Sequence, residues 1–120
     1  MSFVTSANGA GVANATSMSV TTGTISLNDY VIGLTGAENV NTFAGDSDTT
    51  NGTWSTQLAG GVNSAGANAM SFSSQWKKVT AAATQTYNVT LTSADAMNGW
   101  IEINEASTAA QKAAFFFAFP

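Results

Sequence analysis

Apolar and polar residues alternate along much of this chain with a period of two, the spacing of a β-strand that buries one face. The clearest run covers residues 70–79. Met70, Phe72, Ser74 and Trp76 fall on one side of it, and Ser71, Ser73, Gln75 and Lys77 on the other. The first set is expected to face the core and the second to line a wetter face. Over 84–92, Tyr87, Val89 and Leu91 point one way and Thr86, Asn88, Thr90 and Thr92 the other. That pattern predicts a half-buried antiparallel strand. Residues 29–34 differ, because Tyr30, Ile32 and Leu34 share one side while Val31 occupies the other. A strand covered on both faces reads this way. Weaker strand signals come from Met18 and Val20, from 24–27, from Trp54, Thr56 and Leu58 within 53–58, and from 100–105. In the last of these, Ile101 and Ile103 are expected to point inward.

Turn signals separate these runs. Residues 36–52 read as a long loop ending in Asn51-Gly52, a dipeptide that favours positive φ and tight hairpin turns. A second loop is expected over 60–66, a short connection at 81–83 and a turn over 93–99. Helix is expected only as a turn within 107–114, capped by Ser107 or Thr108. Seven or eight short strands with turns every 8–12 residues predict an all-β protein: a single antiparallel two-sheet β-sandwich, jelly-roll-like or immunoglobulin-like. Within one domain, residues 1–22 are expected to be an N-terminal arm and first strand, 23–106 the sandwich core, and 107–120 a Phe-rich strand or arm.

Composition sharpens this picture. A chain of 120 residues has room for one domain, and a Met start with a terminal Pro120 leads to the expectation of a complete small protein. Charged residues are 8%, against roughly 25% in an average soluble domain. Leu, Ile, Val and Phe make up about a fifth of the chain, a light core for a lone monomer. Burial against further copies would supply what the interior lacks, so an oligomer is expected. The tail 113–120 reads Ala-Ala-Phe-Phe-Phe-Ala-Phe-Pro. As a strand it sets Phe115, Phe117 and Phe119 on one face and Phe116 on the other. It is either a last, central strand of the sandwich or an arm packed into a neighbouring subunit. Four Phe at about 2–3 kcal/mol each are too many to leave in water in either case.

The same composition excludes most chemistry. There is no His and no Cys, which removes the usual general base, thiol nucleophile and zinc ligands. An enzyme is not expected, nor a metal or other cofactor. Lys77, Lys78 and Lys112 are the only cations, too few for nucleic acid, and no run of 18 apolar residues predicts a membrane span. Ser74-Gln75-Trp76-Lys77 matches the Ser-x-x-Lys spacing of penicillin-recognising enzymes, but that pattern works at a helix start. In a strand its two ends point to opposite faces. Asp46-Ser-Asp48-Thr-Thr-Asn51-Gly52 loosely resembles a calcium loop, with its Gly one place late and no closing Glu, so an acidic turn is expected. Trp54, Trp76 and Trp100 each fall on an apolar strand side, so core positions are expected. Stacking on sugar rings is the alternative, and it requires at least one of the three to be exposed in a groove.

From Thr24 to Asn104 the chain resembles a jelly-roll-like β-sandwich domain of tailed-phage structural proteins. The resemblance is carried by Leu27-Asn28-Asp29-Tyr30-Val31-Ile32-Gly33-Leu34, by Asn51-Gly52-Thr53-Trp54, by Ser73-Ser74-Gln75-Trp76-Lys77-Lys78-Val79, and by Thr86-Tyr87-Asn88-Val89-Thr90-Leu91-Thr92. It implies a capsid cement, or decoration, protein on the phage head surface, a homo-oligomer and typically a trimer. Its partners would be itself and the major capsid protein, with neither nucleic acid nor membrane. The expected contacts are Phe3 and Val4 in the N-terminal arm and Phe115, Phe116, Phe117 and Phe119 in the tail. The alternative is a carbohydrate-binding or receptor-binding module of a tail fibre or lectin.

Overall fold

Residues 2–8, 11–60 and 69–105 are described in the computed structural model of the chain. They form seven antiparallel strands and, among the described residues, no helix: β1 (Ser2–Asn8), β2 (Val12–Ile25), β3 (Tyr30–Glu38), β4 (Phe43–Ala44), β5 (Leu58–Gly60), β6 (Met70–Lys78) and β7 (Ala83–Asn104). The fold is all-β, as the alternating pattern predicts.

The 22-residue β7 is its axis. The second half of β7 pairs with β1 along one edge and β3 along the other. Its first half pairs with β2 and, at Phe43↔Leu91, with β4. Beyond β3 come β6 and then β5 at the edge. All strands therefore belong to one hydrogen-bonded sheet, and that sheet doubles over. Tyr87, in the first half of β7, stands on Gly33 of β3 and hydrogen-bonds Ser73 of β6 at 3.3 Å. A single apolar cluster joins Met18, Val20, Tyr87, Val89 and Leu91 of one layer to Val31, Ala37 and Trp100 of the other. The two layers of a sandwich are present, with β7 running through both.

One departure from the expected elements has a physical cause. The turn expected over 93–99 does not form. Instead β7 carries a bulge: the β2 pairing jumps from Ala15↔Ala94 to Ser17↔Thr90, and Thr92 and Ser93 are consecutively exposed. Before the bulge the buried residues are Gln85, Tyr87, Val89 and Leu91; after it they are Ala94, Ala96, Asn98, Trp100 and Glu102. The two outward residues in succession reverse the facing of everything that follows. Ile101 and Ile103 consequently point outward, opposite to the expectation. In the N-terminal region β2 runs continuously along β7, pairing at Thr21↔Thr86 and at Thr24↔Thr84.

The facing of β6 is also the reverse of that expected. Ser71, Ser73, Gln75 and Lys77 are buried, whereas Met70, Phe72 and Trp76 are exposed. Burying four polar residues is tolerable because each has a partner. Ser71 Oγ donates to the Asn39 carbonyl at 2.9 Å, and Ser73 Oγ accepts from Gln57 at 2.6 Å. Lys77 Nζ pairs with Asp48 at 3.2 Å and lies 5.3 Å from the Trp54 ring.

Gln75 does most. Its amide accepts from the Asp46 N–H at 2.7 Å and donates to the carbonyls of Asp46 at 3.0 Å and Ser55 at 2.8 Å. The irregular stretch 45–57 is thereby strapped across the inner side of β6. Trp54 anchors the strap, buried with its ring 5.1 Å from that of Tyr87. The strand expected over 53–58 is therefore only β5, because the backbone of 53–57 follows the strap. The Asn51-Gly52 turn does take positive φ at both residues, 56° and 123°. It docks on the loop after β6 through the Thr80 N–H to the Asn51 carbonyl at 3.0 Å. The helical turn expected within 107–114 lies outside the described residues.

Candidate interaction surface

With the polar set of β6 turned inward, the apolar set forms an outer face across β6, β3 and β7. Register defines its rows, since directly paired residues share a face. Lys78, Tyr30 and Ile103 make the first row, and Phe3 on β1 extends it beyond Ile103. Trp76, Ile32 and Ile101 make the second; Ser74, Leu34 and Gly99 the third; Phe72, Gly36 and Met97 the fourth; Met70 and Glu38 the last. Trp76, Phe72, Met97 and Met70 are each about half exposed or more. Charges stand only at the ends, with Lys78 and Glu105 at one and Glu38 and Asp95 at the other. An apolar band of this kind, rimmed by charge, is a candidate interaction surface.

The band has relief. Near its first two rows a groove of about 320 Å³ is lined by Tyr30, Ile32, Leu58, Trp76 and Ile103, with Ser55, Thr56 and Ser74 on its margin. The Tyr30 and Trp76 rings lie 5.9 Å apart at 53°, and Lys78 Nζ sits 5.6 Å from the Tyr30 ring. Glu105 pairs with Lys78 at 3.1 Å and holds its ammonium above the ordinary lysine range. At the far end a second groove of about 380 Å³ opens between Gly36, Met97, Val12 and Met70.

The candidate contacts Phe3 and Val4 are both exposed, and Phe3 belongs to the outer face. Phe115, Phe116, Phe117 and Phe119 lie outside the described residues. Of the three tryptophans, Trp54 and Trp100 are core residues as expected, but Trp76 is not. Phe72, Trp76, Ile101 and Ile103, the centre of the band, carry a strand-period signal that assigns them to the interior. The clue to their true position lies in β3, whose two faces are both apolar.

The acidic groups have other work. Asp46 Oδ2 accepts from the Asn88 N–H at 2.7 Å and its Oδ1 from the Asp48 N–H at 2.7 Å. Asp48 Oδ1 accepts from the Thr50 hydroxyl at 2.8 Å. Hydrogen bonds from Thr50, and then Lys77, hold the Asp48 carboxyl below its usual range. These carboxylates brace the strap, and among the described residues no three metal-binding side chains converge. Ser74 and Lys77 stand on opposite faces of β6.

Glu102 is different. It is 5% exposed on the inner face, and burial, reinforced by Asp29, raises its pKa above the ordinary 4.5. A hydrogen bond from the Ser26 backbone offsets part of that. A carboxyl that takes up its proton more readily when folded stabilises the fold fully below pH 4.5 and progressively less as pH rises through the raised value. Glu102→Gln keeps the neutral form at every pH. Its melting temperature is expected to exceed that of the parent by a few degrees at pH 7, with the gap closing at pH 4. A gap that widens on acidification would contradict this assignment.

No known protein family, curated protein or solved structure matches this chain.

Proposed function

We propose that this chain is a non-enzymatic structural protein of a phage virion, a homo-oligomer that clamps neighbouring capsid subunits on the head surface. The outer apolar band of β6, β3 and β7 carries the reading. Phe72 and Trp76 stand about half exposed on the sheet with Ile101 and Ile103 partly exposed beside them, and covering them with protein stabilises by about 25 cal/mol per Å² of apolar surface. The sparse charge suits such a role, because few ions need to be desolvated when flat β-surfaces meet. The virion setting, the trimeric state and the capsid partner rest on the resemblance of the strand and turn motifs to those of tailed-phage structural domains. Work is done by mass action: whatever binds only the folded chain stabilises it. Sedimentation of the purified protein, alone and with capsids, tests this. A trimer that co-sediments with capsids is expected; a monomer that never does so would overturn it.

One observation favours a second reading, a carbohydrate-binding module. Trp76 is half exposed beside Tyr30 in a groove with Ser55, Thr56 and Ser74 on its margin. A flat aromatic ring with hydroxyls nearby suits the C–H face of a sugar. The aliphatic Ile32, Ile101 and Ile103 that continue the surface suit protein better, since a glycan leaves them wet. Trp76 is the one exposed tryptophan, so its fluorescence should shift on titration with oligosaccharides only if the second reading holds.

A further inference from the structure

The outer band ends where the chain leaves it. β7 finishes at Asn104, next to Tyr30 in the first row, and Glu105 is tied to Lys78 beside it. Residues 106–120 follow, with their four Phe. We propose that the occupant of the outer band is the Phe-rich segment 113–120 of a second copy of this chain. The inference rests on the assembly reading above and names the partner for that surface.

Reach, direction, spacing and area support it. Phe115 lies ten residue steps beyond Glu105, which span at most about 33–36 Å. That exceeds the roughly 30 Å length of the nine-residue β3. The tail can therefore leave its own subunit and still lie along a neighbour's face.

Direction favours leaving. β7 runs off the end of the band, so a return to its own face requires an immediate reversal. The residues that dominate reversals are Gly, Pro, Asn, Asp and Ser, with Ser the weakest of them. Residues 106–114, Ala-Ser-Thr-Ala-Ala-Gln-Lys-Ala-Ala, contain only Ser107 from that set.

Spacing matches. Phe115, Phe117 and Phe119 recur every second residue, about 6.6–7 Å along an extended strand. The side chains of the band recur at the same interval along β6, from Phe72 to Ser74 to Trp76. The grooves at the two ends of the band can each receive an aromatic ring. Area is sufficient too. A buried Phe removes roughly 150–250 Å² from water. The three Phe on one side of a tail, with the band surface they cover, thus bury on the order of 900–1,500 Å², which overlaps the roughly 1,200–2,000 Å² of a stable interface.

The chain contains no Cys, so introduced thiols can be mapped without interference. Full-length Phe117→Cys is mixed with full-length Leu34→Cys, which sits mid-band, or with Thr90→Cys, which is exposed on the other layer. Each mixture is unfolded, refolded together and oxidised with glutathione disulfide. The expected result is a 34–117 disulfide between chains, at least ten-fold more abundant than 90–117 by peptide mass spectrometry. Equal yields at both positions would overturn the proposal. So would a chain carrying both Leu34→Cys and Phe117→Cys that closes the bond within itself at monomer mass. Sedimentation of the same samples separates the two levels: an oligomer without the 34–117 link sinks this inference alone, whereas a monomer that ignores capsids sinks the assembly reading beneath it.

Discussion

Tyr87→Ala is expected to cost about 3–5 kcal/mol, a large part of the 5–15 kcal/mol that holds a typical domain together. The ring is 1% exposed, packs against Trp54 at 5.1 Å and carries a hydroxyl that reaches Ser73. It also occupies the space above Gly33. A Cβ built there would fall inside contact distance of three ring atoms. Gly33→Ala alone should therefore destabilise by about 1–3 kcal/mol through overpacking. Once Tyr87 is alanine, the obstruction is gone. The same Gly33→Ala change should then become neutral or favourable by up to about 1 kcal/mol, since a strand interior prefers Ala to Gly. Urea midpoints of the four proteins close the cycle. A double variant less destabilised than the sum by about 2 kcal/mol is expected. Strict additivity would mean that the ring does not sit on Gly33 and that the two layers meet elsewhere.

Which parts of this architecture can be read from the chain follows from how local their causes are. The strands at β6 and the first half of β7 are legible because alternation is a property of neighbouring residues. Which face goes inward is a different matter. Ser71, Ser73, Gln75 and Lys77 become buriable through partners 14 to 32 residues away: Tyr87, Gln57, Ser55, Asp46, Asp48 and Asn39. Nothing within β6 announces them. The bulge at Thr92–Ser93 is equally silent, because polar Thr and Ser fit a turn as well as a bulge. It alone shifts Ile101 and Ile103 from the expected interior to the outer band. Asn51-Gly52, by contrast, is legible down to its positive φ, because the two residues make that conformation favourable by themselves. The candidate surface was partly legible through Phe3, whereas its centre was hidden in residues assigned to the core.

A pair of substitutions that run against hydrophobicity should separate the inner face from the outer one. Gln75→Leu places an apolar residue at a buried position of a strand, a change that intuition favours. It is nevertheless expected to destabilise by about 2–4 kcal/mol, because the Asp46 N–H and the carbonyls of Asp46 and Ser55 lose their partner in a partly buried setting. The strap should loosen with it and uncover Trp54, visible as a red shift in tryptophan emission. Phe72→Thr does the opposite, placing a small polar residue where an aromatic stood. Thr is a good strand former, and Phe72 lies on the outer side next to Gly36. Its unfolding free energy from urea titration, measured at concentrations where the chain is dissociated, should change by no more than about 0.5 kcal/mol. Self-association should weaken at least ten-fold, as expected for the loss of about 1.5–3 kcal/mol per buried Phe. The opposite outcome, a tolerated Gln75→Leu with an unfolded Phe72→Thr, would mean that β6 faces the other way, and the apolar band would then be the core.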